Sequence, residues 1–471
     1  MFENGMTFGG RATNTQNSRS CRAGFGRRAI NPKRGISLAG YFNPRPNTGV
    51  LDDLQVKVLL IECGGAVVGL ISYDLLIVPL LLISKVRAAL KRDGHPFAET
   101  IPLCATHTHT GPDVGEIFDL SPRNEAYLDF AAEQTAAAVK EASADLAPGE
   151  IAAGMAEENP FAFNRRYWMK DGKVVTNPGK MNPDVIRPEG PVNRQVGVLE
   201  VRRNGRVAGL IVNICNHADT TGGERVSADW PGHLERAVQE HVGSRVPVLT
   251  LISPAGNINH IDVNDPSQPV YGYAASQDIG RGYAEIACRL LGALQPVRCD
   301  KPALSVKPVT IGKRRFAAGQ LQAARALMRE TKEVAPGNLT AEDLARGDKS
   351  AERFFAQQLT AYVEQMPEAG RRFDCAALKL SNNVAMVFLP GENFVEIGMA
   401  IKKASPYPLT FVVSLSNGDC GYVAPRECSA HGGYEVLPVV GGGPPEDTAD
   451  LLIATAGELL KGQAAFRSND P

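Results

Sequence analysis

The sequence predicts an α/β protein: a mixed β-sheet core with helices packed on its faces and a helical insertion around residues 313–371. Three observations carry that expectation. Strand-like apolar runs alternate irregularly with helix-like segments along the 471 residues. Hairpins with glycine or asparagine turns are mixed in, which argues against a strictly parallel, doubly wound sheet. Residues 313–371 change texture, becoming rich in Ala, Arg, Glu and Gln.

Residues 54–62 and 66–74 flank "CGG" and read as a hairpin. Residues 81–94 have helical periodicity and stop at glycine. Residues 100–107 read as the next strand, and the Ala-rich stretch 124–146, with its apolar stripe, as a helix. A second hairpin, 195–203 with 206–215, turns on "NG". A helix at 231–243, a buried strand at 246–253 and a helix at 279–294 follow. Beyond the insertion come a hairpin over 374–390 centred on "NN", a helix at 393–404, a strand at 409–415, a Gly-rich loop region at 417–445 and a closing helix near 448–461. The sequence shows no internal repeat. Residues 1–20 are polar, basic and Gly-rich and read as a flexible arm, leaving 21–465 as one catalytic domain with its insertion.

Composition narrows the function classes. Net charge is -1, so electrostatics supply no reason to expect nucleic acid or an anionic membrane as partner. The longest apolar run, 67–83, is broken by Ser72, Tyr73, Asp74 and Pro79, short of a membrane span. The N-terminal stretch has no apolar segment of the kind a secretory signal needs, and a cytoplasmic setting is expected. The nine cysteines are scattered and form no C-x-x-C pair; several lie inside apolar runs and read as small hydrophobes, and a reducing compartment is expected.

The chemistry-bearing stretches share one design, an apolar strand ending in a polar, histidine-bearing loop. In "CATHTHTGPDVGE" (104–116), His107 and His109 are two apart, on the same face of an extended segment. This suits a metal ligand with a catalytic neighbour, and also a pair of hydrogen-bonded loop histidines. "NICNHADTTGG" repeats the pattern with His217 and Asp219. "ISPAGNINHID" does so with Asn259 and His260. Asp219 suits either the orienting of a ligand histidine or a turn. Ser227 and Asp229 read as N-terminal caps of the following helix. In "FLPGENF", Glu392 suits a third ligand or a carboxylate placed on a helix dipole.

Taken together, "LAGY" (38–41), "LQVKVLLIE", "ATHTHTGP", "FNRR" (163–166), "NHADT", "AGN" (255–257), "LPGE" and the tyrosines 422 and 434 resemble the catalytic domain of the neutral, non-lysosomal ceramidase family. They spread over residues 22–440. The resemblance implies a zinc amidase with one Zn2+ per chain, held by His107, His217, Glu392 and Tyr434. It implies that His109 bonds the reacting carbonyl or water, and that Arg165 and Tyr422 polarise the carbonyl and hold the oxyanion. By position, Asn259, His260 and Asp219 would line the pocket, and His260 suits either a second general acid–base group beside His109 or an ordinary loop histidine. Two departures stand out. Where the family carries a serine in G-D-V-S-P-N, this chain has "GNINHI" with Asn259. The chain also ends soon after the catalytic region, where the family continues into an immunoglobulin-like domain. The expected function is therefore hydrolysis of an amide or related carbonyl bond of a small N-acyl substrate by metal-activated water. The alternatives are a ceramidase-type amidase acting on long-chain N-acyl lipids and a non-catalytic metal- or ligand-binding relative.

Overall fold

A computed structural model describes residues 21–115, 124–333, 347–439 and 442–465, with Leu339 and Asp343 between. The expected arm at 1–20 lies outside the described residues. The mixed α/β architecture is as expected, and the hairpins sit where the turn residues put them. Asn204 and Gly205, both at positive φ, join Val196–Arg203 to Arg206–Ile214.

Three mixed sheets share one connectivity. The first runs, in spatial order, Leu103–Ala105, Ala66–Tyr73, Gln55–Cys63, Arg22–Ala29, with a short edge at Ala147–Pro148. The second runs Val248–Ile252, Arg206–Ile214, Val196–Arg203, Glu150–Ala156, with an edge at Gln295–Pro296. The third runs Leu409–Val413, Val384–Phe388, Arg371–Lys379, Ala303–Ile311. In each, a first strand leads through an insertion to a hairpin. A helix (Leu80–Arg92, Asp229–Val242 or Val395–Ala404) then carries the chain to a strand parallel to the second strand of that hairpin. A further helix closes each unit: Glu125–Ala144, Tyr273–Leu290 or Thr448–Ala465. The expectation of no repeat therefore holds for the sequence and fails for the structure. Packing demands only an alternating apolar pattern, which many residue choices satisfy.

The alternation is visible in each sheet. Leu59 and Ile61, Leu199 and Val201, and Ala376 and Leu378 point into one shared apolar centre. Val58 and Leu60, with Val196 and Val198, turn outward to the helices of the first two units, and Cys375 and Ala377 to those of the third. The sheets thus face one another with helices outside, and residues are buried on both sheet faces.

The expected insertion contains the helices Ala318–Glu330 and Lys349–Gln365. It follows the first strand of its unit, as do residues 30–54 in the first unit and 157–195 in the second. All three insertions therefore leave from the end of the sheets at which the second hairpin strand and the parallel strand also finish. Backbone bonds knit that end together: Ala105 N to Leu415 O, Ser414 N to Ile252 O, Gly256 N to Asn393 O and His109 N to Ala218 O.

Candidate metal centre

The polar cluster sits at this knitted end, built from strand exits of all three units. His107 follows Leu103–Ala105, His217 follows Arg206–Ile214 and Glu392 follows Val384–Phe388. Their elements meet because each exit is short and tied to a neighbour. The threonines around the histidines serve this purpose. Thr108 Oγ1 donates to Ser227 O (2.7 Å) and Thr110 Oγ1 to the same carbonyl (2.9 Å), locking the first loop to the second unit. Trp230 Nε1 donates to His217 O (2.7 Å).

His107, His109 and His217 bring ligand atoms within 4.8 Å of one another, all three buried. Each ring has its Nδ1 beside a backbone carbonyl: His107 at Leu76 O (2.8 Å), His109 at Gly40 O (2.9 Å), His217 at Ala255 O (3.0 Å). A carbonyl only accepts, so Nδ1 carries the proton and the neutral ring keeps its Nε2 lone pair for the cluster. Gly40 is required here. It has φ +94, and a Cβ would lie 2.6 Å from the His109 ring. His107 itself sits at φ +67, a strained conformation held by these bonds.

Glu392 Oε2 lies 3.1 Å from His107 Nε2 and 3.4 Å from His217 Nε2. His107 Nε2, His109 Nε2 and Glu392 Oε2 are buried and have no hydrogen-bond partner. Atoms that only accept, facing each other at this range, need a positive species among them. Burial pushes the Glu392 carboxyl up, but the two imidazoles outweigh it and hold the group well below its ordinary value. Burial pushes His107 down, but Glu392 outweighs that and raises it. Burial lowers His109 well below its ordinary value, assisted by His107, and takes His217 down to about 3. Two neutral imidazoles, together with a third that faces a carboxylate held in its charged form, make a donor set that fits a first-row divalent ion.

Arg165 comes from the insertion of the second unit. Its Nη1 donates to His217 Nε2 (3.3 Å), its Nη2 to Gly256 O (2.6 Å) and Tyr434 Oη (3.1 Å), and its Nε to Glu435 Oε1 (3.1 Å). Tyr422 Oη and Tyr434 Oη are 2.8 Å apart. Tyr422 lies directly beside Glu392 in a short parallel ladder. The structure thus brings together His107, His109, His217, Glu392, Arg165, Tyr422 and Tyr434. Asp219 is nearby: its Oδ1 accepts from Tyr41 Oη (2.8 Å) and stands 3.5 Å from His109 Nδ1. Asn259 and His260 are turned to other partners, Asn177 Oδ1 (2.8 Å) and Val270 O.

The capping expectation for Ser227 and Asp229 holds in part: Ala228 occupies the N-cap and makes no side-chain cap bond, but Ser227 Oγ accepts from Asp229 N (3.0 Å), the first N–H of the helix. Asp229, at φ +55, accepts from Trp230 N with one oxygen and from Thr220 N and Thr221 N with the other. It therefore holds the loop after His217 as well as the helix start. Sequence reading also missed Glu435. This buried carboxylate bonds Arg165, Arg166 Nη1 (2.7 Å) and Thr176 Oγ1 (2.7 Å). Its position next to Tyr434 was the available signal. Tyr41, inside "LAGY", takes its place at the site only through the fold, as the donor to Asp219.

No family model matches the chain, and no curated protein matches it by sequence. Solved structures do match. A ceramidase complexed with C2 superposes with a TM-score of 0.70 at 19% identity, covering 95% of this chain and 76% of that one. The neutral ceramidase of Pseudomonas aeruginosa superposes with a TM-score of 0.69 at 18% identity, covering 95% and 75%. The chain therefore has the neutral ceramidase fold over nearly its whole length.

Proposed function

We propose that this chain is a zinc-dependent amidase that cleaves the amide bond of N-acyl substrates with water as the nucleophile. The observation that carries the reading is the set of three imidazoles, each fixed by a backbone carbonyl and aimed with Glu392 at one buried point. His107, His217 and Glu392 would hold the ion, with the Tyr434 hydroxyl as fourth ligand. A zinc ion there supplies Lewis acidity and brings the pKa of a water towards ~7.

The chain's own groups do the rest. His109, neutral and with Nε2 unpartnered, takes a proton from the attacking water as it adds to the carbonyl carbon. Arg165 and Tyr422 donate to the oxygen as negative charge builds there. His109 then passes its proton to the leaving nitrogen, the C–N bond breaks, and an acid and an amine result. Tyr41 and Asp219 sit behind His109 and orient its ring. Asn259, where the ceramidases carry a serine, is committed to Asn177 and to Ile261 N (3.0 Å), which supports direct attack by water.

The acyl group points to a lipid. Phe42 packs edge-on against Tyr434, and also against Phe354 and Phe355 from the helical insertion. An aromatic wall therefore borders the tyrosine pair, and it suits a long apolar chain more than a short polar one. The ceramidase fold supports the same substrate class. Among the described residues no helix is long and apolar enough to cross a membrane. The test is hydrolysis of N-acyl amides of graded chain length by the zinc-loaded protein. Turnover that rises with chain length is expected. Turnover confined to short acyl groups would favour a small soluble substrate, and metal-loaded protein inactive on every amide would leave a binding protein.

A further inference from the structure

We propose a second metal site, for a thiophilic divalent ion of the zinc class, built from Cys21, Cys63 and Cys299 at the opposite end of the sheets from the histidine cluster. The three cysteines are far apart in sequence, and none has a motif partner. Folding gathers them because each lies at a strand terminus of the same end. Cys21 precedes Arg22–Ala29, Cys63 ends Gln55–Cys63, and Cys299 lies between Gln295–Pro296 and Ala303–Ile311. The pairing Arg22 with Glu62 continues to put Cys21 opposite Cys63.

Their sulfur atoms all lie within 4.8 Å of one another. A tetrahedral ion with Zn–S bonds of roughly 2.3 Å wants sulfurs about 3.8 Å apart, a spacing of the same order. Cys63 and Cys299 are buried and Cys21 is half-exposed, so two of the thiols are enclosed and the third is reachable from solvent. A disulfide between any two of these residues would leave the third unaccounted for. Three thiolates satisfy the ion together, with water or the neighbouring exposed Asp300 in the fourth position, and the thiol protons leave to solvent as the ion binds. In the chain itself, Cys63 Sγ donates to the carbonyls of Cys299 and Asp300 and Cys21 Sγ to Arg22 O at 3.9 Å, and the three thiols otherwise face one another.

The role is structural. Cys299 belongs to the segment linking the second sheet to the third, and Cys21 and Cys63 to the ends of two adjacent strands of the first. An ion there ties the link between two units to the third. Binding to the folded chain alone raises its melting temperature by mass action.

Cobalt(II) distinguishes the two sites, because sulfur ligation produces an intense near-ultraviolet charge-transfer band that nitrogen and oxygen ligands do not. The reduced full-length protein, titrated with Co2+, is expected to show that band. His217→Ala should keep it. The double variant Cys63→Ser/Cys299→Ser should lose it, together with the cobalt-induced rise in melting temperature, while amidase turnover with zinc stays unchanged. If the double variant fails to fold, Cys21→Ser, at the half-exposed position, should weaken the band and the affinity. A reduced wild-type protein without the band overturns the proposal. So does a Cys21–Cys63 disulfide found by mass spectrometry in protein prepared without reductant.

Discussion

Two buried polar clusters lie side by side at the same end of the molecule, and they are built on opposite terms. Around Glu435 each charge has its partner. The carboxylate accepts from Arg165, Arg166 and Thr176, and Arg166 also bonds Glu189 and the carbonyls of Cys428 and Gly432. Around Glu392 the reverse holds, with its Oε2 and two imidazole nitrogens left without hydrogen bonds. Burying an unpartnered acceptor costs about 1–3 kcal/mol. A fold that satisfies one cluster so completely and leaves its neighbour open marks the second as a place for a ligand. Arg165 belongs to both clusters, its Nε on Glu435 and its Nη1 on His217. The satisfied cluster therefore holds the guanidinium that the open one uses.

The sharpest way to break this contrast is to remove a ligand. His107→Ala and His217→Ala should each lose the ion held by the cluster and reduce turnover to background, as read by elemental analysis and amide hydrolysis. A His217→Ala protein with full occupancy at that site would remove His217 from the ligand set. His109→Ala should keep the ion and lose about 10²- to 10⁴-fold in kcat, the usual range for general acid–base catalysis. Loss of the ion in that variant would instead make His109 a ligand.

The satisfied cluster should respond in stability, not in metal content. Glu435→Gln leaves two arginines short of a buried counter-charge and should cost about 3–5 kcal/mol in chemical denaturation while the ion stays bound. The pH dependence has a definite sign. Burial pushes the Glu435 carboxyl up, but Arg166 and Arg165 outweigh it and lower it below its ordinary value of 4.5. A carboxyl depressed in the folded state stabilises above its unfolded value, and that stability is lost as pH falls through the folded value. The deficit of Glu435→Gln should thus be full above pH 4.5 and shrink on acidification. A deficit independent of pH would mean that packing, not charge, is at stake.

The two clusters were unequally legible in the sequence. His107, His109, His217 and Glu392 stand where apolar runs break into polar loops, so local pattern singled them out as candidates, and the resemblance made ligands of three of them. Arg165, Tyr422 and Tyr434 came from resemblance, because nothing local distinguishes them from surface residues. Glu435 was missed because its partners, Thr176, Arg165 and Arg166, are 259, 270 and 269 residues away and meet it only through the insertion of the second unit. Separation along the chain also hid the cysteine cluster, whose Cys63 and Cys299 are 236 residues apart, and the shared connectivity of the three sheets. Hairpins and helices follow from period and turn chemistry, whereas the relation between units resides in tertiary contacts that no window of sequence contains.

The smallest expected effect tests how far the open cluster extends. Asp219 stands between Tyr41 and His109, within 3.5 Å of the Nδ1 that already faces Gly40 O. If Asp219 orients the ring, Tyr41→Phe removes one hydrogen bond from the carboxylate and lets it drift. That bond is worth about 0.5–1.5 kcal/mol, or roughly two- to tenfold in kcat, with KM and metal content unchanged. Tyr41 also carries Arg45 over its ring at 3.9 Å, and Arg45 bonds His109 O. Phenylalanine keeps that stacking, so the hydroxyl alone is tested. An unchanged kcat in Tyr41→Phe would confine the catalytic machinery to His109 and its backbone anchor and leave Asp219 as part of the loop.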